Sequence, residues 1–181
     1  MVERLRVEAI QVLGQGGWSK MSLYNMKLLD SVIKESQRIK PILTVAMPRE
    51  ATADITLADG TFLPQGTLLA VSAQKHWDHE VYHNPERFIG DRFLKMRQTP
   101  GKENIAQLVT TGPAHLGFGH GNHACPGRFL AAAEIKIILV HLILGYEWKT
   151  IRGREPKVRV LGITLDSDPS GKIQIRKRRD R

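Results

Sequence analysis

The chain has 181 residues, of which 41% are hydrophobic, and a formal net charge of +9. That is enough apolar material for one packed core, which excludes a disordered chain, and the single cysteine excludes an internal disulfide framework. A sequence pI of 9.9 points to an acidic partner (nucleic acid, anionic lipid, acidic protein or anionic cofactor) without choosing among them.

The N-terminal stretch MVERLRVEAIQVLGQGGWSK is charged and has no long apolar run, which argues against a signal peptide. Residues 3–13 read as a helix end closed by Gly14, Gly16 and Gly17, with Ser19 and Ser22 as candidate N-caps of the next element. Over residues 23–40, Leu28, Leu29, Val32, Ile33 and Ile39 recur at helical spacing, and Pro41 stops the pattern. Residues 55–57, 61–63 and 67–72 are short β-type runs. Asp59-Gly60 and Pro64-Gln65-Gly66 punctuate them, which predicts a small antiparallel sheet. Residues 73–115 show little periodicity, and a long irregular segment in a packed domain is often functional. His76, His79 and His83 lie there at a spacing that could gather them on one helix face, but no metal site is expected of them.

A second helix is predicted over residues 129–146, with Leu130, Ala133, Ile137, Val140 and Leu144 on one face. Its most apolar part, residues 135–146, is interrupted by Lys136 and His141 and is too short to span a bilayer. The chain as given is therefore expected to be soluble or peripheral. The tail alternates in short runs and ends in a basic cluster over residues 176–181. Without interleaved aromatics or a nucleic-acid-binding motif, that cluster reads as a solvated strand end, and no nucleic acid is expected as partner.

The lone cysteine sits in the segment FGHGNHACPG, residues 118–127. Gly119, Gly121 and Gly127 allow tight turns and close approach to a flat ligand. Pro126 suits a first helical turn, which would set Cys125 at a helix N-terminus, where the dipole and free N–H groups favour a thiolate. A shielded thiolate suits haem iron as its fifth ligand, with Phe118 as the shield. Three other readings compete: a buried structural cysteine, a nucleophile paired with His120 or His123, and a zinc site built from His120, His123 and Cys125. Separately, Glu35 and Arg38 lie three apart on one helix face, an ordinary surface pair if taken alone.

The pattern F-x-x-G-x-[RH]-x-C-x-G, filled by Phe118, Gly121, His123, Cys125 and Gly127, resembles the haem-binding signature of cytochromes P450. The continuation GRFLAAAEIK is similar to the fungal branch. The resemblance covers nearly the whole chain, from about residue 5 to residue 176. It implies an α+β, mainly helical fold, the C-terminal haem-binding part of the family: the helix called K, a small β-sheet, a meander, the cysteine loop, the helix called L and a C-terminal β-hairpin. It further implies that Cys125 is the axial thiolate and the metal ligand, and that Glu35, Arg38 and a later arginine form a structural triad. Arg92 is the expected third member and Arg87, in the block Asn84-Pro-Glu-Arg-Phe, the decoy. Arg49 and His123 would hold haem propionates, with Phe118, Gly119, Gly121 and Gly127 lining the cofactor. Residues 43–46 would pass the haem edge and touch substrate.

By the same resemblance, the activity is a haem-dependent monooxygenation with O2, a small organic substrate (terpenoid or polyketide, in fungal secondary metabolism) and NADPH-cytochrome P450 reductase as partner. A truncated, inactive remnant or non-catalytic binder is the alternative. Residues 1–181 are expected to be one partial domain, without the family's N-terminal membrane anchor or its central oxygen-activating helix. A complete homologue would lie on the cytosolic face of the endoplasmic reticulum, touching the membrane only through that anchor.

Overall fold

The computed structural model describes residues 1–153 and 156–179. Five helices and four two-stranded antiparallel ribbons make up its regular structure. The end of the basic tail, residues 180–181, lies outside the described residues.

Helix α1 spans Val2–Gly16, longer than expected, and runs through Gly14 before Gly17 turns out at φ 57°. Only a residue without a Cβ takes that conformation at no steric cost. The helical pattern over residues 23–40 is two helices, α2 (Lys20–Asn25) and α3 (Lys27–Ile39). Ser19 caps α2, its Oγ accepting from the Ser22 N–H, whereas Ser22 is buried inside the helix. The break at Met26 has a physical cause. Met26 is fully buried, and the first amides of α3, Leu28 and Leu29, donate to the two carboxylate oxygens of Glu8 on α1 at 2.7 and 2.9 Å. A carboxylate at a helix N-terminus satisfies free donors and opposes the dipole, so α3 starts where α1 can cap it.

The expected single sheet is two separate ribbons. β1 (Val45–Glu50) pairs with β4 (Leu68–Ser72), and β2 (Ile55–Thr56) pairs with β3 (Phe62–Leu63). β1 lacks clean alternation because it carries a bulge between Ala46 and Arg49, with Met47 at φ 54°. Within the irregular stretch lies one short helix, α4 (Arg92–Arg97), packed on α3. Helix α5 (Arg128–Gly145) is followed by β5 (Tyr146–Thr150), β6 (Arg159–Leu161), β7 (Thr164–Asp166) and β8 (Ile173–Lys177), which form the ribbons β5–β8 and β6–β7. Among the described residues, no helix is long and apolar enough to cross a membrane.

The core joins α1, α3 and α5 through Leu5, Ala9, Leu28, Leu29, Ile33, Ala132, Val140 and Ile143, with Met26 and Leu108 completing it. The buried stripe of α5 is Ala132, Lys136, Val140 and Ile143, rotated from the predicted face, and Leu130 is 65% exposed. The reason is electrostatic. Lys136 looked like an interruption, yet it is buried and donates to Asp30 Oδ1 at 2.5 Å and to the Leu23 carbonyl at 3.0 Å. Asp30 in turn accepts from the Leu108 N–H at 2.8 Å and faces Arg97 at 3.7 Å. One carboxylate on α3 thus fixes the rotation of α5 and docks residue 108.

Removing one partner of a buried ion pair strands the other charge, at a cost of about 3–5 kcal/mol. Asp30→Ala should lose about that much unfolding free energy in urea titrations. Asp30→Ala with Lys136→Met should lose less, because the buried Lys136 ammonium is no longer stranded. Equal losses in the single and double variants would refute the coupling.

Candidate functional site: a buried triad and the cysteine loop

Glu35 and Arg38 share the inner face of α3, and both are fully buried. Arg38 Nε and Nη2 donate to the two carboxylate oxygens of Glu35 at 2.8 and 2.9 Å, a bidentate pair. Arg92, the first residue of α4, donates from Nε to both oxygens at 3.0 Å, and the Ile89 N–H adds a further bond at 2.9 Å. The Arg87 side chain takes no part. Its exposed stretch offers only a carbonyl, which accepts from Arg38 and Arg92.

The remaining guanidinium hydrogens reach backbone. Arg38 Nη1 donates to the carbonyls of His76 and Pro85, and Arg92 donates to those of His83 and Asn84. Asn84 adopts φ 48°, a left-handed conformation that asparagine tolerates. That turn presents consecutive carbonyls to Arg92. The triad therefore replaces regular secondary structure for residues 76–92: two cations and one carboxylate satisfy a loop that pairs with no strand. The family resemblance names the triad, but the loop's conformation depends on carbonyl positions that no side-chain pattern encodes.

His76, His79 and His83 do not converge. His76 is buried in a 3₁₀ turn over Gln74–Trp77, while His79 and His83 are exposed. Among the described residues no group of three His, Cys, Asp or Glu side chains is placed to hold a metal ion. His76 instead ties the triad to the cysteine loop. Its carbonyl accepts from Arg38, and its Nε2 accepts from the Leu116 N–H at 2.9 Å. The ring is therefore neutral with its proton on Nδ1, a buried atom with no hydrogen-bond partner. His115 lies beside it with ring centroids 5.1 Å apart, and its Nε2 donates to the Lys34 carbonyl at 3.1 Å. Lys34, adjacent to Glu35, is buried and donates to the carbonyls of Gln107 at 2.5 Å, Thr110 at 3.0 Å and Ile105 at 3.4 Å. Burial pushes the Lys34 ammonium down to about 8, partly offset by Asp30. Burial and the neighbouring Arg38 charge push His76 down to about 4. Burial, with Lys34 and His76 nearby, pushes His115 down to about 3. Sequence inspection missed Lys34, His76 and His115 in these roles, because only their depth distinguishes them from surface residues.

The cysteine loop follows directly. Gly119 and Gly121 both stand at φ 71°, where any side chain would be strained. The hairpin they permit is closed by the Cys125 N–H donating to the Phe118 carbonyl at 2.9 Å. Phe118 packs on the main core. Cys125 is half-buried and unpaired. Helix α5 begins at Arg128 with Gly127 as its N-cap, so Cys125 precedes the helix by two residues more than the sequence indicated. His120 and His123 are exposed. Arg49 lies on β1 just past the bulge, opposite Leu69, exposed and donating to the Pro48 carbonyl. Phe129 and Leu130, immediately after the loop, are 59% and 65% exposed. One soft sulfur donor beside an uncovered apolar surface, with turns that need glycine, fits a flat apolar ligand with a metal at its centre. The donor set does not fit tetrahedral zinc.

The family model for cytochrome P450 matches residues 1–170. The chain is 51% identical over 180 residues to "Cytochrome P450 monooygenase 1" of Gibberella fujikuroi, covering 99% of this chain and 41% of that protein. It is 51% identical over 177 residues to cytochrome P450 monooxygenase calE of Penicillium decumbens, covering 98% and 34%. It is 50% identical over 182 residues to cytochrome P450 monooxygenase adrA of Penicillium rubens, covering 99% and 35%. The chain thus spans about a third to two fifths of the length of these curated relatives. Among solved structures, retinoic-acid-bound cyanobacterial CYP120A1 superposes with a TM-score of 0.72 at 24% identity, over 97% of this chain and 39% of that one. The fold is therefore that of the corresponding part of a cytochrome P450, α+β with helices as its long elements.

Two measurements check the site. Replacing Arg92 with alanine leaves the buried Glu35 short of a cation and should cost about 3 kcal/mol of unfolding free energy. Arg87→Ala should change stability by less than about 0.5 kcal/mol, since only its carbonyl is used. The reverse order would show that the triad is closed by the wrong arginine.

A pH series tests the histidine pair. Both folded values lie below the ordinary 6.5, so their contribution is complete above pH about 6.5 and is lost as pH falls toward about 4 for His76 and 3 for His115. Between pH 6.5 and 4, unfolding should take up two protons at these rings. His115→Gln, which keeps a donor for the Lys34 carbonyl, should reduce the slope by about 1.4 kcal/mol per pH unit. An unchanged slope would show that His115 is charged in the folded state.

Proposed function

The chain belongs to the cytochrome P450 family, and from that premise we propose that it is the haem-binding part of a monooxygenase that inserts one oxygen atom from O2 into an organic substrate. The observation that carries this reading is a half-buried, unpaired Cys125 on a glycine-built hairpin beside exposed Phe129 and Leu130. Haem is the family's cofactor; when bound, it supplies the reductive activation of oxygen, with the thiolate favouring O–O cleavage.

The chain's own residues hold and orient. Cys125 would hold the haem iron through its sulfur, and Phe118, Gly119, Gly121 and Gly127 would line the cofactor beside it. The His123 imidazole and Arg49 guanidinium pair with carboxylate groups at the cofactor edge, which matches their exposure and the bulge that turns Arg49 out of register. Glu35, Arg38 and Arg92 keep residues 76–92 in place, and His76 carries that order to Leu116. Residues 43–46, at the start of β1, face substrate.

The fungal secondary-metabolism reading rests on fungal relatives of about 50% identity. The substrate class is a terpenoid or polyketide, and the electron donor is NADPH-cytochrome P450 reductase, whose docking the basic balance assists. These assignments concern a protein of the relatives' full length, of which this chain spans about a third to two fifths.

Reconstitution with haem tests the proposal. The reduced, CO-bound chain should absorb at the long-wavelength Soret position of thiolate-ligated haem, and Cys125→Ala should abolish that band. Arg49→Ala and His123→Ala should lower haem retention while leaving the band position unchanged. A band at that position in Cys125→Ala would sink the ligand assignment. Haem loading without substrate-dependent turnover in the presence of reductase would favour the non-catalytic binder.

A further inference from the structure

Arg128 is the first residue of α5 and stands three residues after Cys125. Its half-buried guanidinium makes two bonds to backbone. Nη1 donates to the carbonyl of Cys125 at 2.7 Å, and Nε donates to the carbonyl of Val109 at 3.1 Å. The stem folds over the neighbouring Phe129, with the guanidinium carbon 4.6 Å from the ring centroid. The backbone bond across the same turn, from the Arg128 N–H to the Cys125 carbonyl, is 3.5 Å long. The side-chain bond is therefore the firmer hold on the cysteine peptide, since charge-assisted bonds are short and about twice as strong as neutral ones.

The other end of the clamp is anchored. Val109 lies between Leu108, whose N–H is bound by buried Asp30, and Thr110, whose carbonyl is bound by buried Lys34. Both charged groups project from α3, the helix that carries the triad. A continuous path thus leads from Asp30 and Lys34 through residues 108–110 and Arg128 to Cys125. Without the Arg128 side chain, the Cys125 peptide would keep its hairpin bond to Phe118 and the long backbone bond from the residue-128 amide.

We propose that Arg128 is a positioning residue for the axial thiolate: it clamps the Cys125 peptide to the 108–110 segment and so sets where the sulfur is presented. The proposal rests on Cys125 as haem ligand. The rigid fork of the guanidinium sets the directions of both bonds at once, whereas a lysine ammonium is a point charge on a flexible stem and places the two carbonyls less firmly.

The test uses the full chain with Arg128→Gln and Arg128→Lys, each compared with the parent, with and without haem. In the haem-free chain, Arg128→Gln should speed hydrogen exchange of the Cys125 amide about tenfold. The Leu94 amide, held by Ser31 of α3 and outside the 108–110 path, should exchange as in the parent. In the haem-loaded chain at equal haem content, Arg128→Gln should shift part of the CO-bound Soret absorption to the shorter wavelength of neutral-thiol ligation. Arg128→Lys should fall between Gln and parent. Parent-like exchange at Cys125 in Arg128→Gln would overturn the clamp, as would an unshifted spectrum. Failure of the parent itself to give a thiolate spectrum would instead refute the haem-ligand reading, and the exchange measurement would still decide the clamp.

Discussion

The buried carboxylate of Glu35 is the constraint on which the rest of the site depends. Two guanidiniums and a backbone N–H surround it, and neither Glu35 nor Arg38 reaches solvent. Such a group is costly to bury unless its lone pairs are filled. Here they are, and the cations are filled in turn by carbonyls from residues 76–92. A segment without ladder hydrogen bonds would ordinarily stay at the surface and move. Bound through its carbonyls, it becomes a rigid support for the cysteine hairpin.

Helix α3 supplies a second set of buried charges for the same purpose. Asp30 holds Lys136 and the Leu108 amide, and Lys34 holds the carbonyls of residues 105, 107 and 110. Successive inner positions of one helix therefore organise two irregular segments, one on each side. His76 and His115 sit between them, kept neutral by burial and by the neighbouring cations. The cysteine hairpin is suspended from this frame through Leu116 at its start and Arg128 at its end.

Phe129 and Leu130 on α5, Ile42 and Leu43 before β1, and Leu68 on β4 are open while the triad is sealed. An apolar surface of this kind marks a face made to be covered. Phe129 and Leu130 follow Cys125 closely in sequence, where a flat cofactor would bring apolar area of its own.

Much of this was readable in the residues. The cysteine hairpin declared itself through glycines and a lone sulfur, because the chemistry needs a soft donor and positive-φ turns. The spacing of Glu35 and Arg38 taken alone is that of a surface pair, and the triad came from the family resemblance. Periodicity went astray where charge overrode it. It merged α2 with α3, because Glu8 caps α3 from another helix, and it misplaced the inner face of α5, because Lys136 is drawn to Asp30. It could not assign Lys34, His76 or Arg128, whose partners are backbone carbonyls and amides distant in sequence. The sequence by itself determined the family and singled out Cys125. The tertiary structure alone decided which charges are buried and which peptide groups they bind, because every residue presents the same amide and only the fold brings a particular one to a particular cation.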